Sequence, residues 1–211
     1  MNHAAICLKG VSRHFSTRLA LQGIDLSISC GEAVALTGPN GSGKTTLLRI
    51  MATLLRPSSG KVFYFGEQNQ NLCSLRKQIG ALFVEGYLYS DLSVWENLSF
   101  YAKLFHLGNS SRMISEWLDR GGIRELANEP VRNLSRGERQ KVALIRSLLH
   151  DPKILLWDEP TTGLDSKAKQ LFSEISKERK GKQTIVCATH DPDSVSIWVD
   201  RHITLQNGKL T

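Results

Sequence analysis

The chain has 211 residues, of which 41% are hydrophobic and 22% charged, so it is not a mainly disordered protein and can bury a sizeable core. Its length favours one large domain over two. No apolar run approaches the roughly 18 residues needed to cross a bilayer, and the first ten residues lack the basic start and apolar core of a signal peptide. The sequence therefore predicts a cytosolic chain.

The net charge of +7 is compatible with a nucleic acid, an anionic membrane surface or a phosphate ligand as partner. Part of the excess lies in the lysine-rich run at 167–182. That run is interrupted by acids at helical spacing, which favours a solvated helix face over a binding patch. The four cysteines have no C-x-x-C spacing, which favours reduced core or strand thiols over a disulfide or zinc site; they are Cys7, Cys30, Cys73 and Cys187.

Short strands alternate with helices along the chain, which indicates an α/β fold. Ser93 and Ser110 are predicted helix N-caps, and the proline–glycine segment 56–60 is expected to end the first helix. The mainly helical stretch from about 87 to 150 is predicted to be a subdomain inserted into the core. Strands are expected at 33–36, 61–65, 154–157 and 184–188, and helices at 44–55, 93–105, 110–118 and 136–149.

The strongest motif follows the first predicted strand of the core. Residues 38–45 read GPNGSGKT and match the P-loop pattern G-x-x-x-x-G-K-[ST], with a helix after them. Glycines let backbone N–H groups approach phosphate oxygens, and the helix N-terminus adds partial positive charge. Lys44 supplies a full charge to the terminal phosphates and is a predicted catalytic residue, while the Thr45 hydroxyl is an oxygen ligand for Mg²⁺. The predicted nucleotide-binding residues here are Gly38, Pro39, Asn40, Gly41, Ser42, Gly43, Lys44, Thr45 and Thr46.

The apolar run 154–157 ends in two acidic residues. Asp158 is placed to hold Mg²⁺ directly or through a water, and Glu159 to polarise the attacking water. Turns favour aspartate in any case, so a plain strand end is the alternative when this pair is considered alone.

Residues 134–140, LSRGERQ, begin a predicted helix. Ser135 with Glu138 three positions later fits a capping box, and a capped helix start that contains a glycine is also an anion site. Together with the P-loop and the acidic pair, the run LSRGERQKVALIRSLLHDPKILLWDEPTTGLD resembles the ATP-binding cassette (ABC) ATPases, whose signature is usually written LSGGQ. In that family the signature contacts the γ-phosphate held by the opposite subunit, which here implies Ser135 and Gly137.

The resemblance extends over about residues 6–210 and implies a single ABC ATPase domain at 1–211. The implied fold is a P-loop NTPase core with an antiparallel β subdomain and the helical signature subdomain. The resemblance also implies ATP and Mg²⁺ as ligands, a homodimer or a paired ABC subunit, and an integral-membrane permease as partner. It would place the chain peripherally at the cytoplasmic face of the inner membrane.

Three further residues receive roles from the resemblance. Asp165 follows Gly163 and Leu164 at the position that lines the dimer seam. His190 matches the switch histidine that touches the γ-phosphate, although a lone histidine after a strand is more often structural. Phe15 occupies the position of an aromatic that stacks on adenine, with core packing as the alternative.

The chain departs from the family pattern in two places. Val84 stands where a glutamine usually senses the γ-phosphate and Mg²⁺, and the hypothesis is that Glu85 takes over the polar role or that the site works without it. Arg136 and Glu138 replace the usual glycine and glutamine of the signature, which brings a negative charge near the docking point of a phosphate.

The segments 87–104 and 52–57 carry the finer resemblance. The first is similar to the exporter branch, and the second, with the compact length, to haem exporter ATPases of cytochrome c maturation. The chain stops at Thr211, without the longer tail of many drug exporter ATPases. The expectation is haem export, with a multidrug, lipid or polysaccharide exporter as the alternative. A non-transport ABC ATPase acting on nucleic acid is a further alternative, but the stretch between Lys44 and Ser135 shows no sustained heptads, so no direct nucleic-acid partner is expected.

Overall fold

A computed structural model describes residues 4–16, 18–68, 71–84 and 87–211. Among these residues no helix combines the length and apolarity needed to pass through a bilayer. The strands are β1 (Ala4–Phe15), β2 (Arg18–Ser29), β3 (Ala33–Thr37), β4 (Ser59–Tyr64), β5 (Ile79–Leu82), β6 (Ile154–Asp158), β7 (Thr184–Ala188), β8 (Arg201–Gln206) and β9 (Lys209–Leu210). The helices are α1 (Lys44–Met51), α2 (Leu72–Arg76), α3 (Val94–Leu104), α4 (Ser110–Arg120), α5 (Arg136–Leu148) and α6 (Ser166–Arg179), with 3₁₀ turns at Arg124–Leu126 and Val131–Asn133.

A six-stranded sheet with the order β5-β6-β7-β3-β8-β9 forms the centre of the molecule. The pairs from β5 to β8 are parallel, and only β9 joins antiparallel. Every residue of β6 and β7 is buried, because helices cover both faces of a parallel sheet. The predicted α/β class is confirmed. The carboxyl ends of β3, β6 and β7 meet at one edge, where the predicted site residues follow.

A second sheet, with the order β2-β1-β4, is antiparallel and holds the N-terminal part of the chain. Along β2, buried and exposed positions alternate, so that Leu21, Leu26 and Ile28 face the core while the other face of the strand is more open. These inward side chains join α1 in one apolar cluster. The residue pattern alone did not predict β1 and β2; only the family resemblance implied this sheet.

The helices between β5 and β6 have an apolar cluster of their own. α3, α4 and α5 pack together through buried aliphatic side chains, among them Val94, Leu98, Ile114, Leu118, Val142 and Ile145. α3 and α5 each begin with a complete capping box, at Ser93 with Glu96 and at Ser135 with Glu138. Both serine caps had been predicted, and both are confirmed.

Three sequence predictions are wrong in detail. The first helix ends at Met51 and not near residue 55, because Thr53 adopts a left-handed φ of 60° and the N–H groups of Leu54 and Leu55 both turn back to the carbonyl of Arg49. Ser110 is not a cap: Asn109 precedes α4 in a left-handed conformation and accepts no capping hydrogen bond. The strand expected at 61–65 begins two residues earlier and ends one residue earlier, at Ser59–Tyr64.

The predicted solvated helix face agrees with the structure, and the predicted placement of the cysteines agrees for two of the four. Lys167, Lys169 and Lys177 are exposed on α6, as a solvated helix face requires. Cys187 is buried in β7 and Cys7 is partly buried in β1, which agrees with core or strand thiols. The remaining two cysteines, Cys30 and Cys73, are exposed free thiols outside the strands.

Candidate active site

The P-loop leaves β3 and wraps the start of α1 so tightly that it needs glycine. At Gly38, with φ 137°, a Cβ would lie 2.0 Å from the carbonyl oxygen of Leu205, and at Gly43, with φ 112°, it would lie 2.7 Å from that of Ala20. Any side chain would therefore push the loop away from β8 or β2. Ser42 between them is buried, and its hydroxyl has no hydrogen-bond partner among the described residues. A buried hydroxyl without a partner is available to donate a hydrogen bond to a phosphate oxygen of a bound ligand.

Lys44 begins α1 and arches back over the loop. Its ammonium donates to the carbonyl of Gly38 at 2.7 Å and to that of Pro39 at 3.2 Å, and the residue is 7% exposed. An ammonium group has three donors, so one N–H remains for a ligand in the cradle. The loop therefore holds its positive charge in place before any nucleotide arrives.

Thr45 and Asp158 join the P-loop helix to the end of β6. The Thr45 hydroxyl donates to Oδ2 of Asp158 at 2.7 Å. Burial raises the pKa of the Asp158 carboxyl, against the Thr45 hydrogen bond, which lowers it, and the neighbouring Glu159, which raises it further. A hydroxyl and a carboxylate side by side are the hard oxygen donors that Mg²⁺ prefers, so this donor set fits the metal.

Glu159 is held at the end of β6 in a left-handed conformation, with φ 50°. Its N–H donates to the carbonyl of Ala188 in β7 at 2.9 Å. Nδ1 of His190 donates to Oε2 of Glu159 at 2.7 Å, and the Thr162 hydroxyl lies 3.4 Å from the same oxygen. The structure thus brings two of the three predicted catalytic residues, Glu159 and His190, together at the ends of adjacent parallel strands.

The P-loop, Asp158 and Glu159 line a cavity of about 400 Å³. Phe15 lies at its edge and is 43% exposed, which excludes core packing, and the guanidinium of Arg13 lies 4.6 Å from its ring centroid. Because Arg13 covers the ring on one side, Phe15 has one face left for a flat ligand. The residues that line the cavity are Phe15, Arg18, Ala20, Asn40, Gly41, Gly43, Lys44, Thr45, Thr46, Asp158 and Glu159.

Arg18 is a cavity residue that the sequence did not indicate. Its Nη2 donates to the carbonyl of Gly41 at 3.0 Å, which links β2 to the P-loop and places a second cation beside Lys44. No motif marks a single arginine at the start of a strand, so only the tertiary structure identifies it.

The predicted signature residues do not line this cavity. Ser135 is exposed at the start of α5, where its N–H donates to Oε2 of Glu138 at 2.7 Å and its hydroxyl accepts from the N–H of Glu138 at 3.3 Å. Hydrogen bonds to the Glu138 carboxyl from the Ser135 side chain and from the Ser135 N–H lower the pKa of that carboxyl. Gly137 lies in the first turn of α5, and Asp165 caps α6 by accepting from the N–H of Ala168 at 2.7 Å. In a single chain, all three therefore lie outside the lining of the P-loop cavity.

Val84 also lies outside the P-loop cavity. It is 64% exposed and lines a second cavity of about 370 Å³, which touches the first only through Glu159. Glu85, the suggested substitute for the missing glutamine, lies outside the described residues.

A family model and several similar known proteins point to the same family. Residues 21–162 match the model of the ABC transporter family. The ABC transporter ATP-binding protein NatA of Bacillus subtilis is 36% identical over 97% of this chain and 87% of that protein. Other relatives are named as import ATP-binding proteins for sulfate/thiosulfate, spermidine/putrescine and methionine, and the chain spans 62%, 59% and 64% of three of them.

Solved structures show the same fold. A dimeric ATP-binding cassette, MJ0796, bound to ADP and Pi, superposes with a TM-score of 0.86 at 29% identity, covering 97% of this chain and 96% of that one. The cbiO1 protein of Clostridium perfringens, described as part of the ABC transporter complex cbiONQ, superposes with a TM-score of 0.80 at 32% identity, covering 99% of this chain and 87% of that one.

Proposed function

Because this chain belongs to the ABC transporter family of ATP-binding proteins, we propose that it powers export through a separate membrane permease, with haem as the lead substrate. It is an ATPase that uses ATP and Mg²⁺, pairs with a second ABC subunit and works with a permease. We further propose that it sits peripherally at the cytoplasmic face of the inner membrane. Residues 1–211 would form one ABC ATPase domain, with a helical subdomain at about 87–150.

The observation that carries the ATPase proposal is the convergence of Lys44, Thr45, Asp158 and Glu159 on one cavity. The P-loop backbone and the Lys44 ammonium bind and orient the phosphate chain. Mg²⁺ held by Thr45 and Asp158 would neutralise phosphate charge. Glu159 accepts a hydrogen bond from the attacking water and directs its oxygen toward the γ-phosphorus.

His190 has a supporting role in this proposal. Its Nδ1 donates to Glu159 at 2.7 Å and orients the carboxylate, while the ring is 60% exposed and open to the far end of a triphosphate. Phe15 would stack on adenine at the opposite end of the cavity, with Arg18 beside the phosphates.

A second copy of the chain would complete each site. Ser135 is exposed and Gly137 is partly exposed, and neither lines the cavity of its own chain, so in a head-to-tail pair they can face the γ-phosphate of the other copy. Within the capping box the Ser135 hydroxyl accepts from the N–H of Glu138 and also hydrogen-bonds the Glu138 carboxyl, so its proton would turn from that carboxyl to a phosphate oxygen of the second copy's site. The Asp165 loop would line the seam between the two copies.

An apolar groove supplies a surface for the permease. It has a volume of about 450 Å³ and runs between α3 and the core, lined by Leu54, Tyr87, Tyr101 and Leu104. Arg146 lies in its wall, with Nη2 donating to the carbonyl of Ala81 at 2.5 Å and Nε without a hydrogen-bond partner among the described residues. Arg146 also lies over the rings of Tyr87 and Tyr101, so its charge is held within the wall. We therefore assign to this groove a short permease helix with an apolar face.

The proposed export rests on the resemblance of segment 87–104 to the exporter branch, and haem rests on the resemblance of segment 52–57, with the compact length, to haem exporter ATPases. Import of a small solute is the second candidate, because several relatives that are 31% to 36% identical are named as import ATPases. The two candidates differ in where the solute accumulates.

The test is ATPase activity of the chain reconstituted with its permease in proteoliposomes. Under the export proposal, haem presented on the side of the ATPase stimulates ATP hydrolysis and is carried across the bilayer, and Lys44→Ala abolishes both effects. Lys169→Ala, at an exposed lysine on α6, is the matched control and should behave as the wild type. Stimulation by sulfate, a polyamine or methionine offered on the opposite side, with none by haem, would replace export with import.

A further inference from the structure

We propose that Gln140 is a positioning residue that ties the loop carrying Glu159 to the signature turn of α5, and thereby couples the two ATP sites of the dimer. The inference deepens the proposed function and rests on the site completed by a second copy. It concerns regulation of the same reaction and not a further ligand.

The first support is a pair of hydrogen bonds. Nε2 of Gln140 donates to the carbonyl of Pro160 at 3.1 Å and lies 3.4 Å from the carbonyl of Glu159. Gln140 is partly buried, so these contacts are shielded from water on one side. They grip the backbone on the carboxyl side of Glu159, while the hydrogen bond to Ala188 holds its N–H.

Glu159 needs such support because its conformation is strained. A non-glycine residue at φ 50° lies in the left-handed region and persists only where surrounding contacts hold it. The direction of its carboxylate follows from that backbone conformation. A side chain that holds the backbone therefore also sets where the predicted base points.

The second support is a close approach between the same two segments one turn away. A Cβ at Gly137 would lie 3.1 Å from the carbonyl oxygen of Gly163, and a Cβ at Gly163 would lie 3.2 Å from Cδ and Nε of Arg136. The start of α5 and the loop after Glu159 thus touch at two separate points. A displacement of one segment displaces the other.

The helix between these contacts is short and stiff. Ser135 and Gln140 are five positions apart, which corresponds to roughly 7.5 Å along a helix. The start of α5 presents the exposed Ser135 toward the site of the second copy, with the partly exposed Gly137 beside it, and Gln140 points inward, toward its own Glu159. One rigid element therefore contacts both sites.

The functional consequence is coupling in both directions. When ATP in the partner's cavity engages Ser135 and Gly137, α5 shifts as a body and Gln140 moves the Glu159 loop of its own site. Coupling free energies for binding are reciprocal. ATP bound in the chain's own cavity orders the Glu159 loop, and this ordering therefore also strengthens binding of the partner's ATP to the signature turn. Hydrolysis should therefore rise cooperatively with ATP concentration.

The test uses Gln140→Met, which keeps the length of the side chain and removes both donors. Gln170→Met is the matched control, since Gln170 donates to Glu174 at 3.0 Å on exposed α6. We expect a Hill coefficient above 1 in the wild type and in Gln170→Met, and a coefficient close to 1 in Gln140→Met. The kcat of Gln140→Met should fall on the order of tenfold, with the ATP Kd of the isolated chain changed by less than about twofold.

The outcomes separate this inference from the function on which it rests. If the Glu159→Gln chain does not dimerise with ATP, the site completed by a second copy fails, and the coupling fails with it. If it dimerises and Gln140→Met keeps the wild-type Hill coefficient, the role of Gln140 is overturned while the shared site stands. The melting temperature of each variant shows whether it is folded. If Gln140→Met is unstable, Gln140→Asn, whose shorter side chain moves the amide away from the loop, replaces it and must also lower the Hill coefficient.

Discussion

The Thr45 hydroxyl and the Asp158 carboxylate form a hydrogen bond of 2.7 Å between residues that are 113 positions apart in the chain. It fixes the helix after the P-loop to the end of strand β6, which lies between β5 and β7. The bond brings the two predicted oxygen ligands of Mg²⁺ together and places a buried carboxyl next to Glu159.

Asp158→Asn should remove the Mg²⁺ dependence of ATP binding and, without metal, stabilise the chain at neutral pH. Burial raises the pKa of Asp158 in the folded state, so the folded chain binds this proton more tightly than the unfolded chain does. That contribution is complete below the unfolded pKa and is lost as the pH rises through the folded value. The gain in melting temperature over wild type should therefore grow from about pH 4 upward, as measured by thermal denaturation in EDTA. A constant gain at all pH values would contradict it.

Glu159→Gln should bind ATP normally and nearly abolish its turnover. The amide keeps the shape of the side chain but cannot act as a base, which we expect to lower kcat on the order of 10³-fold. ATP should then accumulate a dimer, measurable by light scattering during size-exclusion chromatography. Glu174→Gln on exposed α6 is the control, and hydrolysis by Glu159→Gln at the wild-type rate would remove Glu159 from the mechanism.

The buried side chain of His150 should lower the free energy of unfolding of the chain in acid. Burial lowers its pKa to about 4, against the hydrogen bond with the carbonyl of Ile79, and the ring stacks on Phe105 at 3.9 Å. Because the unfolded imidazole has a pKa near 6.5, the unfolded chain binds more protons between those values, and stability falls as the pH drops from about 6.5 to 4. The shift corresponds to about 3 kcal/mol at the low end.

His150→Gln should flatten that fall in urea denaturation curves between pH 6.5 and 4. His14→Gln, at an exposed histidine in β1, should retain it. Equal acid sensitivity in the two variants would show that His150 is not the titrating group.

Leu104→Glu should weaken binding to the permease while leaving ATP hydrolysis by the isolated chain unchanged. Leu104 is 54% exposed in the groove between α3 and the core, and a carboxylate there would have to lose its water against the apolar face of the helix that we assign to it. Ile197→Glu is the matched control at an exposed apolar residue outside the groove. Co-purification with the permease should fall at least tenfold for the first variant only, and equal retention of both would place the permease elsewhere.

Local patterns were enough to predict the P-loop, the buried strand β6 and the capped start of α5. Each depends on residues within a few positions of one another: glycines and a lysine at fixed spacing, an unbroken apolar run, and a serine with a glutamate three positions later. The end of the first helix was missed because the left-handed turn at Thr53 breaks a helical pattern that the residue types would have continued.

What the sequence alone determined, then, is what lies in contiguous segments: the glycine-rich P-loop, the adjacent acids Asp158 and Glu159 after an apolar strand, and the capped start of α5. The tertiary structure decided how distant segments meet. Arg18 reaches the P-loop from β2, Gln140 grips the Glu159 loop, and His190 pairs with Glu159. Such contacts depend on which strands become neighbours in the sheet and how α5 packs against them, and that pairing is set by burial of the whole core and not by the spacing of any one motif.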